Sequence, residues 1–300
     1  MPEVPRREWR EDRYGFLRWL TLPRDGWTEW WDRIYIDVDS KRRLRAHARY
    51  CLEHRGEHSR VGLPIHGIVL LHGPPGTGKS SIARGLANVV AHDLIDAGVA
   101  EEVIFAEVDP HALPSQMLGE SQRNAINLLE KSLPELAEKG HPVIVVIDEV
   151  NSLAMRRSMA AGGRDPVDVM RATEAVLRGI DYLASSVSNV YVVATSNFVA
   201  TIDEAMLDRL DLAVEFDLPN TEEREQIIAD SLTELPKHSL STDDIREVAE
   251  QLAGRSGRDI RKTIVEALIT RSTSPDEPLG KEDIVRILPE TVGADGTGAA

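Results

Sequence analysis

The chain has 300 residues, 42% of them hydrophobic and 28% charged, with one cysteine and a formal net charge of −15. That composition is globular rather than disordered, and the length suits about two domains. The longest aliphatic run, Val143–Ile147, is five residues, far short of the ~18 of a membrane-spanning helix. Arg6, Arg7 and Arg10 precede no apolar stretch of a secretory leader. Cys51 has no partner for an internal disulfide, which suits a reducing compartment. A soluble cytoplasmic protein is expected.

Charge is unevenly placed. Residues 1–66 hold 14 Lys and Arg against 11 Asp and Glu, a net of +3, whereas residues 67–300 hold 21 against 39, a net of −18. An acidic main body argues against nucleic acid as the chief partner, because binding a polyanion needs clustered cations. Arg42, Arg43, Arg45 and Arg49 read as a solvated helix face, with a nucleic-acid patch as the alternative. All five tryptophans (Trp9, Trp19, Trp27, Trp30 and Trp31) lie in the first 31 residues. That segment is expected to pack on the chain's own body, with docking to a partner as the alternative.

From residue 67 strands and helices alternate. Gly67–Leu71 reads as a strand ending in a glycine-rich turn, and 78–95 as a helix with Ile82, Leu86, Val89 and Val90 on one face. Val103–Val108 is the next strand. A helix is predicted over 121–138, with Ala125, Leu128, Leu129 and Leu133 inward. The wholly apolar Val143–Ile147 suits the centre of a parallel sheet. A helix over 168–182 and strands over 190–195 and 212–216 follow. This alternation predicts an α/β fold with a doubly wound parallel sheet. After Pro219-Asn220 only helices are expected: one opening at Thr221, one at Ser241 in capping-box style, one striped by Ile260, Ile264, Ala267 and Leu268, and a short one over 281–288. The domain reading is therefore a tryptophan-rich arm (1–26), a linker helix region (27–66), a large α/β domain (67–219), a small helical domain (220–290) and a disordered tail (291–300).

The strongest chemical signal is Gly73-Pro74-Pro75-Gly76-Thr77-Gly78-Lys79-Ser80, followed by Ser81. It fits the GxxxxGK[ST] phosphate loop, which arises by chance in about one chain in a hundred of this length. The strand before it and the helix after it supply the required context. The glycines let successive N–H groups surround a β-phosphate, Lys79 reaches the β and γ oxygens, and the Ser80 hydroxyl ligates Mg²⁺. ATP and Mg²⁺ are the expected cofactors. Asp148 and Glu149 emerge straight after the apolar strand, sixty-nine and seventy residues beyond Lys79, at the sheet edge where the loop lies. Asp148 suits the Mg²⁺ shell and Glu149 a general base for water. Thr195-Ser196-Asn197 ends another strand, where the Asn197 amide could position that water.

With these motifs in place, residues 27–288 resemble an AAA+ ATPase module. Asn197-x5-Asp203-x-Ala205 followed by Asp208-Arg209-Leu210-Asp211 is similar to that family's second region of homology, shortened by two residues and keeping only the later arginine. The resemblance implies that Arg209 is an arginine finger for a neighbouring subunit's γ-phosphate. Ser256-Gly257-Arg258-Asp259-Ile260 resembles the start of the sensor-2 helix, implying that Arg258 feels the γ-phosphate in cis. Together with Trp31-Asp32-x-Ile34, these departures resemble the pachytene-checkpoint and thyroid-receptor-interacting remodellers, hexamers that act on HORMA-domain proteins. Met117, Leu118 and Gly119 stand where that family places its first pore loop, which often carries an aromatic pair. About 26 residues precede Trp27, fewer than the adaptor-binding domain of animal and fungal members. The chain is thus closer to short bacterial members that sit with HORMA proteins and nucleotidyltransferases in antiphage systems.

The resemblance implies a homohexameric, ATP-driven remodeller that draws a HORMA-domain protein, in complex with a nucleotidyltransferase, into its pore. The alternatives are an activase of a metabolic enzyme, a nucleic-acid loader using Arg156, Arg157 and Arg164, and a nucleotide-locked scaffold.

Overall fold

The computed structural model describes residues 15–58, 65–109, 119–152, 166–235, 237–270 and 278–288. These form two compact units that divide between Phe216 and Asp217. The first unit is built on a six-stranded sheet: β1 (Phe16–Leu22), β2 (Ile68–His72), β3 (Val103–Val108), β4 (Val143–Ile147), β5 (Val190–Ser196) and β6 (Leu212–Glu215), in spatial order β1-β3-β4-β5-β2-β6. β2 to β6 run parallel to one another, as the alternation predicts. β1 is antiparallel to β3 along one edge and was absent from the sequence reading. The apolar strands β4 and β5 are buried along their whole length.

Strand alternation sends neighbouring residues to opposite faces and so divides the core in two. Ile68, Leu70, Val143, Val145, Val192 and Ala194 belong to one cluster, which includes Leu128, Leu133 and Ile180 from the helices α4 (Glu120–Asn127), α5 (Leu133–Ala137) and α6 (Pro166–Ser186) or the turn between them. Val69, Leu71, Ile144, Val146 and Val193 belong to the other, with Trp31, Leu44 and Leu86 from α1 (Trp27–Asp32), α2 (Val38–His58) and α3 (Lys79–Asp96). Between α4 and α5 the backbone makes a π turn over Leu128–Ser132, where the sequence predicted a continuous helix. Pro134 follows it; lacking an N–H, proline cannot donate to the carbonyl four residues back, and the wider turn accommodates its ring.

The described part of the tryptophan-rich segment packs on the chain's own body. Trp27 meets Phe105 edge to face with centroids 5.0 Å apart, and Trp31 is buried. Trp9 lies outside the described residues. The β1–β3 edge is fixed by Glu107, whose buried carboxylate accepts from Arg18 and from Arg84, each at 2.6 Å. Cys51 is also buried, and burial pushes its thiol up to about 12, leaving it protonated. Arg42, Arg45 and Arg49 are paired with Asp39, Asp93 and Glu53, as befits an ion-paired helix face.

α1 approaches α3 closely at Gly85. A Cβ there would lie 2.5 Å from the Trp31 nitrogen and 2.8 Å from its Cα, and backbone cannot swing aside as a side-chain tip can. Gly85→Ala is therefore expected to destabilise the fold by about 1–3 kcal/mol despite alanine's better helix propensity. A thermal unfolding midpoint equal to or above that of the parent would show that the two helices separate without cost.

The second unit contains α8 (Thr221–Thr233), α9 (Thr242–Gln251), α10 (Gly257–Thr270) and α11 (Lys281–Val285), packed through Ile228, Leu232, Val248, Leu252, Ile260, Ile264 and Ile284. Asn220 with Glu223 and Ser241 with Asp244 close reciprocal capping boxes. Among the described residues, its β structure is a single bridge between His238 and Leu279.

Candidate functional site

The chain runs from β2 toward β3 on one side of the sheet and from β5 toward β6 on the other, so the order reverses between the adjacent strands β2 and β5. In open α/β sheets ligands bind outside the strand C-termini at such a point. The sequence motifs meet there. Gly73, Gly76 and Gly78 have φ of 138°, 81° and 95°, values that favour glycine. At two of them a side chain would also meet a neighbour, backbone at Gly73 and a side-chain tip at Gly78. A Cβ on Gly73 would overlap the Phe216 carbonyl oxygen, and one on Gly78 would lie 2.6 Å from Ile34 Cδ1. Pro75 is exposed and Thr77 folds back, its hydroxyl donating to the Pro74 carbonyl at 2.9 Å. The Lys79 ammonium is buried and donates to the carbonyls of Gly73 (2.8 Å) and Pro74 (2.7 Å). Lys79 also opens the 18-residue α3, with Ser80 and the half-buried Ser81 in its first turn. The positive end of that helix and the loop amides favour an anion.

Ser80 and Asp148 are joined across the sheet edge, the Ser80 hydroxyl donating to Asp148 Oδ1 at 2.7 Å. The same oxygen accepts from the Thr195 hydroxyl at 2.6 Å. Thr195 Oγ1 in turn accepts from the backbone N–H of Glu149 at 3.2 Å. Glu149 has φ of 53°, the one positive value at a non-glycine among the described residues. A left-handed backbone at such a residue costs about 1–3 kcal/mol and persists where its surroundings enforce it. The exposed Glu149 carboxylate accepts from Asn197 Nδ2 at 3.3 Å. Lys79, Ser80, Asp148, Glu149 and Asn197 thus belong to one edge, brought together from three strands.

Arg209 follows the short α7 (Glu204–Leu207), which Asp203 caps through a hydrogen bond from Ala205 N. Its guanidinium donates from Nε to Asp181 Oδ1 (2.7 Å), from Nη2 to Asp181 Oδ2 (2.8 Å) and from Nη1 to the Ala205 carbonyl (2.7 Å). The Arg209 bonds hold the Asp181 carboxyl below its usual range. Two residues on, Asp211 accepts from the backbone N–H groups of His66, Gly67 and Ile68, tying this segment to the start of β2. Arg258 is exposed on the first turn of α10 in the second unit. Met117 and Leu118 lie outside the described residues, while Gly119, with φ of 75°, caps α4. Arg156, Arg157 and Arg164 also lie outside them.

Sequence reasoning passed over Thr195, Asp181 and Ile34 as site elements. The threonine was visible beside Asn197, but its two hydrogen bonds reach residues about 47 positions away. Among the described residues no helix is long and apolar enough to cross a membrane.

Residues 69–218 match the family described as "ATPase family associated with various cellular activities (AAA)". The chain is 40% identical over 260 residues to CD-NTase-associated protein 6 of Pseudomonas aeruginosa, covering 85% of this chain and 84% of that one. It is 33% identical over 223 residues to a pachytene checkpoint protein 2 homolog of Arabidopsis thaliana, covering 74% of this chain and 47%, about half, of that relative. The fold matches a chain in the solved structure of the E. coli MS115-1 HORMA:CdnC:Trip13 complex with a TM-score of 0.77 and 19% identity, over 91% of this chain and 94% of that one.

Proposed function

The chain belongs to the AAA ATPase family, and from that premise we propose that it hydrolyses ATP to dismantle complexes of a HORMA-domain protein. The observation that carries the ATPase reading is the convergence of Lys79, Ser80, Asp148, Glu149 and Asn197 at one sheet edge. The residues fit the cofactors. A loop of left-handed glycines, one of them (Gly73) closed to a Cβ by backbone, with a buried ammonium at its carbonyls, suits a triphosphate. The hydroxyl–carboxylate pair of Ser80 and Asp148 is a hard oxygen donor set suited to Mg²⁺. When bound, that ion neutralises charge between the β- and γ-phosphates.

In this reading Lys79 binds the β and γ oxygens, and Gly73 through Gly78 supply the amides around them. Glu149 takes the proton of the attacking water, and Asn197, already within reach of the Glu149 carboxylate, orients that water. Arg209 stabilises the γ-phosphate of a neighbouring protomer in a homohexamer. Arg258 couples nucleotide state to the second unit, which acts as a lid.

The client follows from the relatives. One solved counterpart lies in a complex with a HORMA protein and CdnC, and a bacterial relative is CD-NTase-associated. A HORMA-domain protein, bound to a nucleotidyltransferase, is accordingly the proposed client, in a cytoplasmic antiphage signalling system. Met117 and Leu118, six copies of each around a ring, would make an apolar grip for an extended peptide.

Two experiments test this. The Glu149→Gln variant with ATP should retain a HORMA-domain protein in a pull-down, and failure to retain it removes the client while leaving the ATPase reading intact. Met117→Ala with Leu118→Ala should lower the amount of HORMA protein released per ATP hydrolysed by tenfold or more, that is, at least ~1.4 kcal/mol. An unchanged ratio would rule out gripping at that loop.

A further inference from the structure

Thr195, the penultimate residue of β5, is almost wholly buried, at 2% exposure, although a threonine hydroxyl in a core must be hydrogen-bonded to be tolerated. Here the hydroxyl both donates and accepts, with two particular neighbours. Its proton goes to Asp148 Oδ1 at 2.6 Å, and its oxygen receives the N–H of Glu149 at 3.2 Å. Among the described residues no other side chain bonds both the Asp148 carboxylate and the Glu149 backbone.

The two bonds have separate consequences. Asp148 Oδ1 accepts from Ser80 and Thr195 together, which fixes the rotation of the carboxylate and leaves Oδ2 to face other ligands. The bond to the Glu149 amide acts on the one non-glycine residue held at positive φ. Relaxing that backbone would swing the Glu149 side chain away from Asn197, 3.3 Å off. A β-branched residue suits this task because its χ1 is restricted, so the hydroxyl is presented in one direction.

We infer that Thr195 is a positioning residue for hydrolysis, one hydroxyl setting both the metal-facing carboxylate of Asp148 and the backbone that aims Glu149. The inference rests on the proposed roles of Asp148 and Glu149. It differs from a packing role because shape alone would be preserved by valine, which lacks only the hydroxyl's hydrogen bonds.

The test uses the full-length protein with Thr195→Val and Thr195→Ser, assayed for ATP turnover, for binding of a fluorescent ATP analogue, and for the Mg²⁺ concentration giving half-maximal rate. Thr195→Val is expected to lower kcat tenfold or more, keep analogue affinity within about twofold, and raise the half-maximal Mg²⁺ concentration severalfold. Thr195→Ser restores the hydroxyl and should return kcat to within about threefold of the parent. A valine variant with parental kcat and Mg²⁺ dependence overturns the inference. So does one that loses binding in step with turnover while serine fails to restore either, since the residue would then serve the fold. Glu149→Gln measured in parallel separates the two levels. If that variant still turns over at the parental rate, the reading of Glu149 fails; if it is inert and Thr195→Val is unaffected, only the role of Thr195 fails.

Discussion

Glu149→Gln is expected to bind ATP as the parent does and to lose at least ~10²-fold in turnover, the usual contribution of a positioned general base. Glutamine keeps the length and the hydrogen-bonding oxygen of the side chain but cannot accept the proton of water. Nothing that cradles the triphosphate is touched: Lys79 keeps its place at the Gly73 and Pro74 carbonyls, and Ser80 its bond to Asp148. The backbone at φ 53° stays held by the Thr195 hydroxyl. The loss should therefore fall on kcat, with binding intact, the pattern of an interaction made only in the transition state. Lys79→Ala provides the contrast, weakening binding itself. Phosphate release alongside equilibrium nucleotide binding decides the matter. Parental turnover in Glu149→Gln would mean that another group activates the water.

How much could be read from the chain alone depended on whether the signal was local. β4 and the glycine-rich loop were legible because a five-residue apolar run and a spaced set of glycines each express their environment within a few residues. β1 was not. Its sequence FLRWLTL has neither the wholly apolar face of a central strand nor a clean alternation, and the pattern of exposure along it is that of an edge. Its partner β3 lies some eighty residues downstream. The tryptophans around it drew notice for composition, and only tertiary structure places Trp27 against Phe105. The same distinction divides the site. Asp148 and Glu149 could be placed at the sheet edge because a buried strand ends there. The Asp181 clamp on Arg209 spans 28 residues, and Ile34 lies against Gly78, which is 44 positions further on; no spacing rule announces either.

Arg209 leads to the second large effect. Three of its five N–H groups are committed within the chain, two to Asp181 and one to the Ala205 carbonyl, which leaves two for a phosphate. The clamp orders a long side chain before any partner arrives, so less conformational entropy is lost when it meets a charge. Asp211 fixes the segment behind it through three backbone amides at the start of β2. In the proposed ring, Arg209→Ala should bind ATP normally and hydrolyse it about 10³-fold more slowly, the scale on which an arginine finger acts. The fold should hardly notice, because the Asp181 pair is partly solvated and such pairs contribute about 0–1 kcal/mol. The decisive experiment mixes two inert proteins. Arg209→Ala retains Lys79 and its loop, Lys79→Ala retains Arg209, and a mixed ring places the intact loop of one beside the intact finger of the other. Turnover should reappear on mixing and follow the fraction of mixed neighbours as the ratio is varied. A mixture no more active than the sum of its parts would mean that Arg209 acts within its own protomer, and the Asp181 pair would then be read as a structural ion pair alone.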